Sequence, residues 1–428
     1  MSIFNVFWVI NIISLQVFLA NSYCTKSLVP ALYVFGDSTV DAGNNNNLNT
    51  DAKVNRFPYG IDFNNVSTGR FSNGKTFADI LGKFKFCSPF IILGKTFALT
   101  VSLPPPRGKR NCPLLWAQAC FTAPSTAHQF YDSYLFENYS LSPHWLVPAI
   151  KLGLPMPPPY LGISTTERYQ IASGINYASG SCGILNSTRN GECLSLDKQI
   201  EYFTSTVVND LPRNFRSKAR LRHYLSKSIF LLSIGSNDYI LNYLKQEIIA
   251  NKFGNPDEFA DYLLVQLSSS IKFNILNFRL LQKIYELGGR KFVIIGVGAI
   301  GCIPGFIIRK PNFQDCNEDV NQKVKPFTNK LPMKIQELKS QLPGSLFTIM
   351  DTFKFFKKIR NTPEKFGFTN TWDSCVGEGG KPCENRNEYY FYDFAHSTEA
   401  TSQIYANKCF SGRHLCFPLN IEKLAHTH

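Results

Sequence analysis

The chain has 428 residues, of which 44% are hydrophobic and 18% charged. That balance excludes an intrinsically disordered chain and fits one large globular domain or two small ones. The formal charge is +14, yet the lysines and arginines are scattered and form no long basic block interleaved with aromatics. This argues against nucleic acid and leaves acidic cell-wall polysaccharide or another anionic surface as the expected partner of the charge.

At the N-terminus the apolar run FWVINIISLQVFLA is followed by Ala20-Asn21-Ser22, a small-x-small cleavage pattern. The run is too short to span a bilayer, and no later segment offers a replacement. Residues 1–22 therefore read as a secretory signal peptide, although a positive n-region is missing, and no transmembrane segment is expected. Twelve cysteines agree with an oxidising, extracellular destination. Cys182/Cys193, Cys302/Cys316 and Cys375/Cys383 each lie close enough to close a short loop by a disulfide. The absence of any Cys-x-x-Cys pair gives a zinc site little support. Asn65, Asn138 and Asn186 head Asn-x-Ser/Thr sequons and are the expected glycosylation sites.

The first predicted strand, ALYVFG (31–36), stops at Gly36-Asp37-Ser38 and is followed by four asparagines, Asn44 to Asn47. These read as a hydrogen-bonded turn beside the serine, or, for Asn45 to Asn47, equally as a flexible polar loop. Further strands are expected at GINYAS (174–179), SIFLLSIG (228–235), KFVIIGVGA (291–299) and LFTIMD (346–351), with helical periodicity from Asp257 to Leu287 and from Cys316 to Leu342. Strands apolar on both faces and separated by helices predict an α/β doubly wound, mainly parallel sheet covered on two sides. Ligands of such sheets bind beyond the carboxyl ends of the strands. Three of the predicted strands deliver small or polar residues to that edge: Gly36-Asp37-Ser38, the ASGSCGI turn, and Gly235-Ser236-Asn237-Asp238.

A serine at a strand end is placed to act as a nucleophile but needs a base. Of the seven histidines, two lie in the C-terminal tail and two in an atypical segment described below. Among His223, His396 and His414, only His396 has a carboxylate at a useful offset, Asp393 in FYDFAHSTE. At that spacing a carboxylate can fix the imidazole tautomer and stabilise the imidazolium. Alone, Asp-x-x-His is weak and is better explained by a surface histidine beside a helix start. Gly180 or Gly183 of ASGSCG and the amide of Asn237 are candidate donors to an oxyanion.

Taken in order, FGDSTVDAGNNN, GINYASGSCGIL, GSNDY and YDFAHSTEA resemble the four blocks of the plant GDSL esterase/lipases, within the SGNH hydrolase superfamily. GRFSNGKTFADIL and LGLPMPPPYL resemble that family's stretches between the first two blocks. The resemblance covers nearly all of Leu32 to Phe410. It implies a three-layer α/β/α, flavodoxin-like fold with a five-stranded sheet, and no metal or other cofactor. It further implies Ser38 as nucleophile, His396 as general base and Asp393 as its orienting partner. The oxyanion donors it implies are the Ser38 N–H, Gly180 or Gly183, and Asn237. The family usually has His-Pro-Thr where this chain has His396-Ser397-Thr398, which removes a stiff helix start and leaves the catalytic set intact. The expected activity is that of a secreted esterase or lipase cleaving lipid or small acyl esters through an acyl-enzyme. An acyltransferase using the same intermediate, or a silent binding protein on the scaffold, are the alternatives.

One hydrolase domain is expected over 30–412, interrupted at about 83–148. That stretch shows neither sustained helical period nor strand alternation, and it holds Cys87, Cys112 and Cys120 without an evident pairing scheme. Joining FADIL directly to AIKLG would restore the family's continuous helix and loop. Gly82-Lys83-Phe84 can be encoded by GGT-AAG-TTT, which contains the GTAAGT of an intron start. The segment therefore reads as a translated unspliced intron, with a lineage-specific insertion as the alternative.

Overall fold

Five short strands make the central sheet of the computed structural model. It describes residues 27–82, 151–189, 191–268, 280–310 and 313–427. The expected signal peptide, the segment at 83–148 and the sequon at Asn138 lie outside the described residues. Strands β1 (Leu32–Gly36), β2 (Ile229–Ser233), β3 (Lys291–Ile295) and β4 (Leu346–Met350) run parallel in that order. β5 (Cys416–Phe417) adds antiparallel to β4 at the far edge.

Side chains alternate across a strand, so both faces of a covered sheet must be apolar. Tyr33, Phe35, Phe230, Leu232, Phe292 and Ile294 are buried on one face, Leu32, Val34, Ile229, Leu231, Val293 and Ile295 on the other. The first face is covered by helices α2 (Leu196–Ser205), α3 (Lys218–Lys227), α4 (Pro256–Ser268), α5 (Leu280–Leu287) and α6 (Glu318–Gln341). The second is covered by α1 (Phe77–Gly82), α7 (Thr352–Asn361), α8 (Glu399–Ser411) and α9 (Ile421–His426). This is the three-layer α/β/α arrangement. The helical pattern over Asp257 to Leu287 resolves into α4 and α5, with residues 269–279 outside the described set.

One predicted strand is corrected. GINYAS is not a regular strand of the sheet, whose fifth member is Cys416–Phe417. The segment instead lies along the open edge of β1, joined by Val34 N–H to Ile175 O (3.1 Å), Tyr177 N–H to Val34 O (2.8 Å) and a single parallel bridge at Asn176. Its outer side faces Pro158 and Pro159, and a proline cannot extend a ladder as a donor. Gly174, at φ +110°, turns the chain before it. With this segment counted beside β1, the chain reverses its direction of winding between β1 and β2. That point is where open α/β sheets form their ligand crevice.

Leu152 N–H bonds to Leu81 O (3.1 Å) and Leu154 N–H to Gly82 O (2.7 Å), so the two stretches that flank residues 83–150 are tied to each other. The packed fold runs past the expected end at 412, because Ile421 and Leu424 of α9 are fully buried. All three anticipated disulfides are present. A fourth, Cys409–Cys416, fastens α8 to β5. Among the described residues no helix is long and apolar enough to cross a membrane.

Candidate active site

Strand β1 ends where a side chain would be intolerable. A Cβ on Gly36, at φ +146°, would stand 2.1 Å from the carbonyl oxygen of Ser233 at the end of β2. The glycine lets the two strand ends close together. Gln199 of α2 fixes the turn by accepting from Gly36 N–H and donating to Gly36 O, both at 2.9 Å. Asp37 accepts from Thr39 N–H (3.0 Å) and Oγ1 (2.6 Å), and Thr39 Oγ1 meets Ser233 Oγ at 2.8 Å. Ser38 thus stands at the lip of a turn held on all sides.

Its hydroxyl lies 2.8 Å from Nε2 of His396. On the other side of the ring, Nδ1 lies 2.8 Å from Oδ2 and 2.9 Å from Oδ1 of Asp393. The Asp-x-x-His spacing forms a tight turn in which Asp393 Oδ1 accepts from the N–H of Ala395 (2.9 Å) and His396 (2.7 Å). Burial opposes ionisation of Asp393. The His396 charge, its hydrogen bond and the two backbone donors overcome that and hold the carboxyl below its usual range. Burial likewise opposes the imidazolium, and Asp393 overcomes it, so His396 titrates above its ordinary value. A tyrosine from the first loop, Tyr59, donates its hydroxyl to Asp393 Oδ2 at 2.8 Å. Phe71 lies against the imidazole, with ring centroids 4.9 Å apart. Without the proline of the family pattern, α8 starts on Thr398, whose hydroxyl accepts from Thr401 N–H at 3.2 Å.

The other two blocks converge beside Ser38. Asn237 Nδ2 donates to Cys182 O at 2.9 Å. Its neighbour Asp238 is fully buried and accepts from Ile184 N–H (2.7 Å), Leu185 N–H (3.0 Å) and Thr188 Oγ1 (2.8 Å). Burial outweighs those bonds and raises Asp238 to about 6. Gly183 passes close to this carboxylate: a Cβ there would lie 2.4 Å from Asp238 Oδ1. The two candidate glycines differ in what their N–H groups do. That of Gly180 is spent on Asn45 Oδ1 (3.0 Å) and Asp41 Oδ2 (3.1 Å). Those of Gly183 and Ser38 make no hydrogen bond among the described residues.

The asparagine loop proves to be a clamp. Asn44 Nδ2 donates to Asn176 O and Ala178 O, and its Oδ1 accepts from Leu161 N–H. Asn45 donates to Ala52 O and Gly180 O and accepts from Ser179 Oγ and Gly180 N–H, which fills its whole bonding capacity. Asn46 Nδ2 reaches Thr68 O. Only Asn47 of the four is exposed. The flexible-loop reading therefore fails for Asn45 and Asn46. Both are held, and Asn45 binds the turn of the second block to the serine's own loop.

A cavity of about 210 Å³ opens beside Ser38, Asn237 and His396. Its inner wall is largely apolar, with Val40, Ile295, Met350, Phe356, Phe391 and Tyr405 from the second face of the sheet. Of the other predicted positions, Asn65 and Asn186 are exposed, and Asn186 donates to Asp197. Among the described residues, one group with metal-ligand proximity comprises Cys302, Cys316 and Glu318. Its two sulfurs are joined in a disulfide, so they offer no thiolates. Sequence reading missed Tyr59 and Gln199, and it assigned no role to Asp41 or Asp238. The last two lie inside the quoted motifs, while nothing in the spacing of the first two pointed to the site.

A family model described as GDSL-like lipase/acylhydrolase matches residues 149–409. The GDSL esterase/lipase At1g71691 of Arabidopsis thaliana is 31% identical over 412 residues, covering 93% of this chain and 86% of that protein. GDSL esterase/lipase 7 of the same plant is 32% identical over 417 residues, covering 94% and 93% respectively. With the blocks assembled at one sheet edge and likeness running nearly end to end, the chain belongs to the GDSL esterase/lipase family and is a hydrolase of ester bonds.

Proposed function

We propose that the protein is a secreted carboxylic-ester hydrolase that works through an acyl-enzyme on Ser38. The observation that carries the reading is the continuous contact Ser38 Oγ–His396 Nε2–His396 Nδ1–Asp393, with each step between 2.8 and 2.9 Å. Ser38 Oγ attacks the ester carbonyl while His396 Nε2 takes its proton, and the Asp393 carboxylate stabilises the imidazolium that forms. Negative charge then develops on the carbonyl oxygen. The Ser38 N–H, the Gly183 N–H and the Asn237 amide are the proposed donors to it, with Gly183 preferred because the N–H of Gly180 is already engaged. The imidazolium returns its proton to the departing alcohol, and a water activated by His396 releases the acid. The apolar cavity beside the serine suits an acyl chain, so lipid and small acyl esters are the substrate class. Four disulfides among the described residues and the signal-like N-terminus favour an oxidising, extracellular setting. The +14 charge would retain the protein on acidic wall polysaccharide.

A fluorophosphonate probe tests the assignment directly. It should label a single peptide containing Ser38, and labelling should vanish in His396→Ala. A label on another serine would overturn the reading. Asn237→Ala should lower kcat by about 10²- to 10³-fold with KM little changed, because the amide acts on charge present only in the transition state. Equal losses in KM would mark Asn237 as a ground-state contact instead.

The pH dependence has a definite sign. Catalysis needs the neutral imidazole, so kcat/KM must fall as pH drops through the titration of His396. Because Asp393 holds His396 above its ordinary value, the acid limb of the profile should lie above about 6.5. A limb centred below that pH would show the pair is not coupled in solution.

A further inference from the structure

Asp393 is served by a group from the opposite end of the chain. Tyr59 is separated from it by 334 residues, yet its hydroxyl donates to Oδ2 at 2.8 Å. With the backbone donors on Oδ1, this bond completes the ring of groups around the carboxylate. The loop that carries Tyr59 is itself anchored to the segment that carries Asp393. Tyr392 donates to Pro58 O at 2.6 Å, and its ring meets that of Tyr59 edge-on at 5.6 Å. Three residues on, Asp62 takes a bidentate bond from Arg386 (2.7 and 2.9 Å) and another from Asn73 (2.6 Å). Asn73 in turn accepts from Glu399 N–H at 2.8 Å, at the start of the helix after His396. So the tyrosine is delivered by a braced strap and does not merely rest against the site. It does not line the cavity, which separates it from substrate contact.

We propose that Tyr59 is a positioning residue for the hydrolysis. Its hydroxyl locks the plane of the Asp393 carboxylate against His396 and moderates the basicity of that anion. A carboxylate with a donor on its outer oxygen is less basic and pulls less strongly on the imidazolium proton. Removing the donor therefore has two effects. The carboxylate is freer to rotate, which misorients the ring and lowers kcat. The unshared negative charge holds the proton on His396 to higher pH, which moves the acid limb of kcat/KM upward.

This inference rests on the Ser38–His396–Asp393 reading, and the test separates the two. With a small aryl ester, Tyr59→Phe should lower kcat about tenfold, the scale of a lost hydrogen bond to a charged group, while KM stays within about twofold. The acid limb should rise by about half a pH unit. Substituting 3-fluorotyrosine at position 59 makes a stronger donor of the same shape, and should move the limb the other way. Tyr59→Phe with an unshifted limb, or a limb that does not follow donor strength, overturns the positioning role. If the phenylalanine variant proves too unstable to assay, the fluorotyrosine protein alone decides by the direction of its shift. Substantial activity in Ser38→Ala would instead sink the underlying reading, whatever position 59 does.

Discussion

Ser38→Ala should abolish turnover while leaving the protein folded. The expected loss is on the order of 10⁶ in kcat, the scale found when a serine nucleophile is removed from a triad that acts as a unit. The fold should be indifferent because, among the described residues, the Ser38 side chain makes one hydrogen bond, to His396 Nε2. The turn around it is held by Gln199, Thr39 and Ser233. Removing a hydroxyl whose partner remains satisfied through Nδ1, beside the cavity that both residues line, should change thermal stability very little. Hydrolysis of an aryl ester, followed beside a thermal melt, separates the two effects. Retention of more than a few per cent of turnover with an unchanged melt would mean that the chemistry lies elsewhere.

The sheet was legible because both of its faces are buried. Runs such as SIFLLSIG and KFVIIGVGA carry consecutive apolar residues, IFLL and FVII, with no polar alternation, and four of the five predicted strands form as expected. GINYAS failed as a strand for a reason its own residues do not display. The neighbour along its outer side is Pro158-Pro159, sixteen residues upstream by the number of Gly174, and pairing partners are a property of the fold. The converse error was β5, since Cys416–Phe417 is too short to leave any period. The asparagines show the same division. Their composition announces a turn, but that Asn45 would reach across 135 residues to Gly180 could not be read from local spacing.

At the site, motif order singled out Ser38, Asn237, Asp393 and His396 as candidates, and the fold brings all four to one edge of the sheet. What the sequence could not decide was which glycine has a free N–H. Gly180 and Gly183 are equally permissive as residues. The difference lies in Asn45 and Asp41, which already hold the first. Tyr59 was missed for a related reason. A tyrosine following proline in a loop looks like ordinary surface punctuation until a carboxylate more than three hundred residues away is found at its hydroxyl.

Asp393→Asn is expected to cost about 10⁴ in kcat, and the direction of its pH effect makes the result diagnostic. The asparagine would keep the turn, because its carbonyl oxygen can still accept from the N–H groups of Ala395 and His396, so the protein should remain folded. Its amide would then face Nδ1 as a donor. Nδ1 must answer as an acceptor, which places the ring proton on Nε2, facing Ser38. In that tautomer His396 cannot take the serine's proton. The loss of the anion also withdraws what lifts His396 above its ordinary value, so the residual activity should show an acid limb at lower pH than the native enzyme. Tyr59→Phe is expected to move the same limb upward, since there the anion stays and loses only a donor. Two substitutions on one carboxylate should thus shift the profile in opposite directions. A steady-state profile of kcat/KM for both variants checks this. If Asp393→Asn leaves both the rate and the limb in place, another carboxylate serves the histidine. Asp37 is the nearest alternative by charge, although its own bonds go to Thr39.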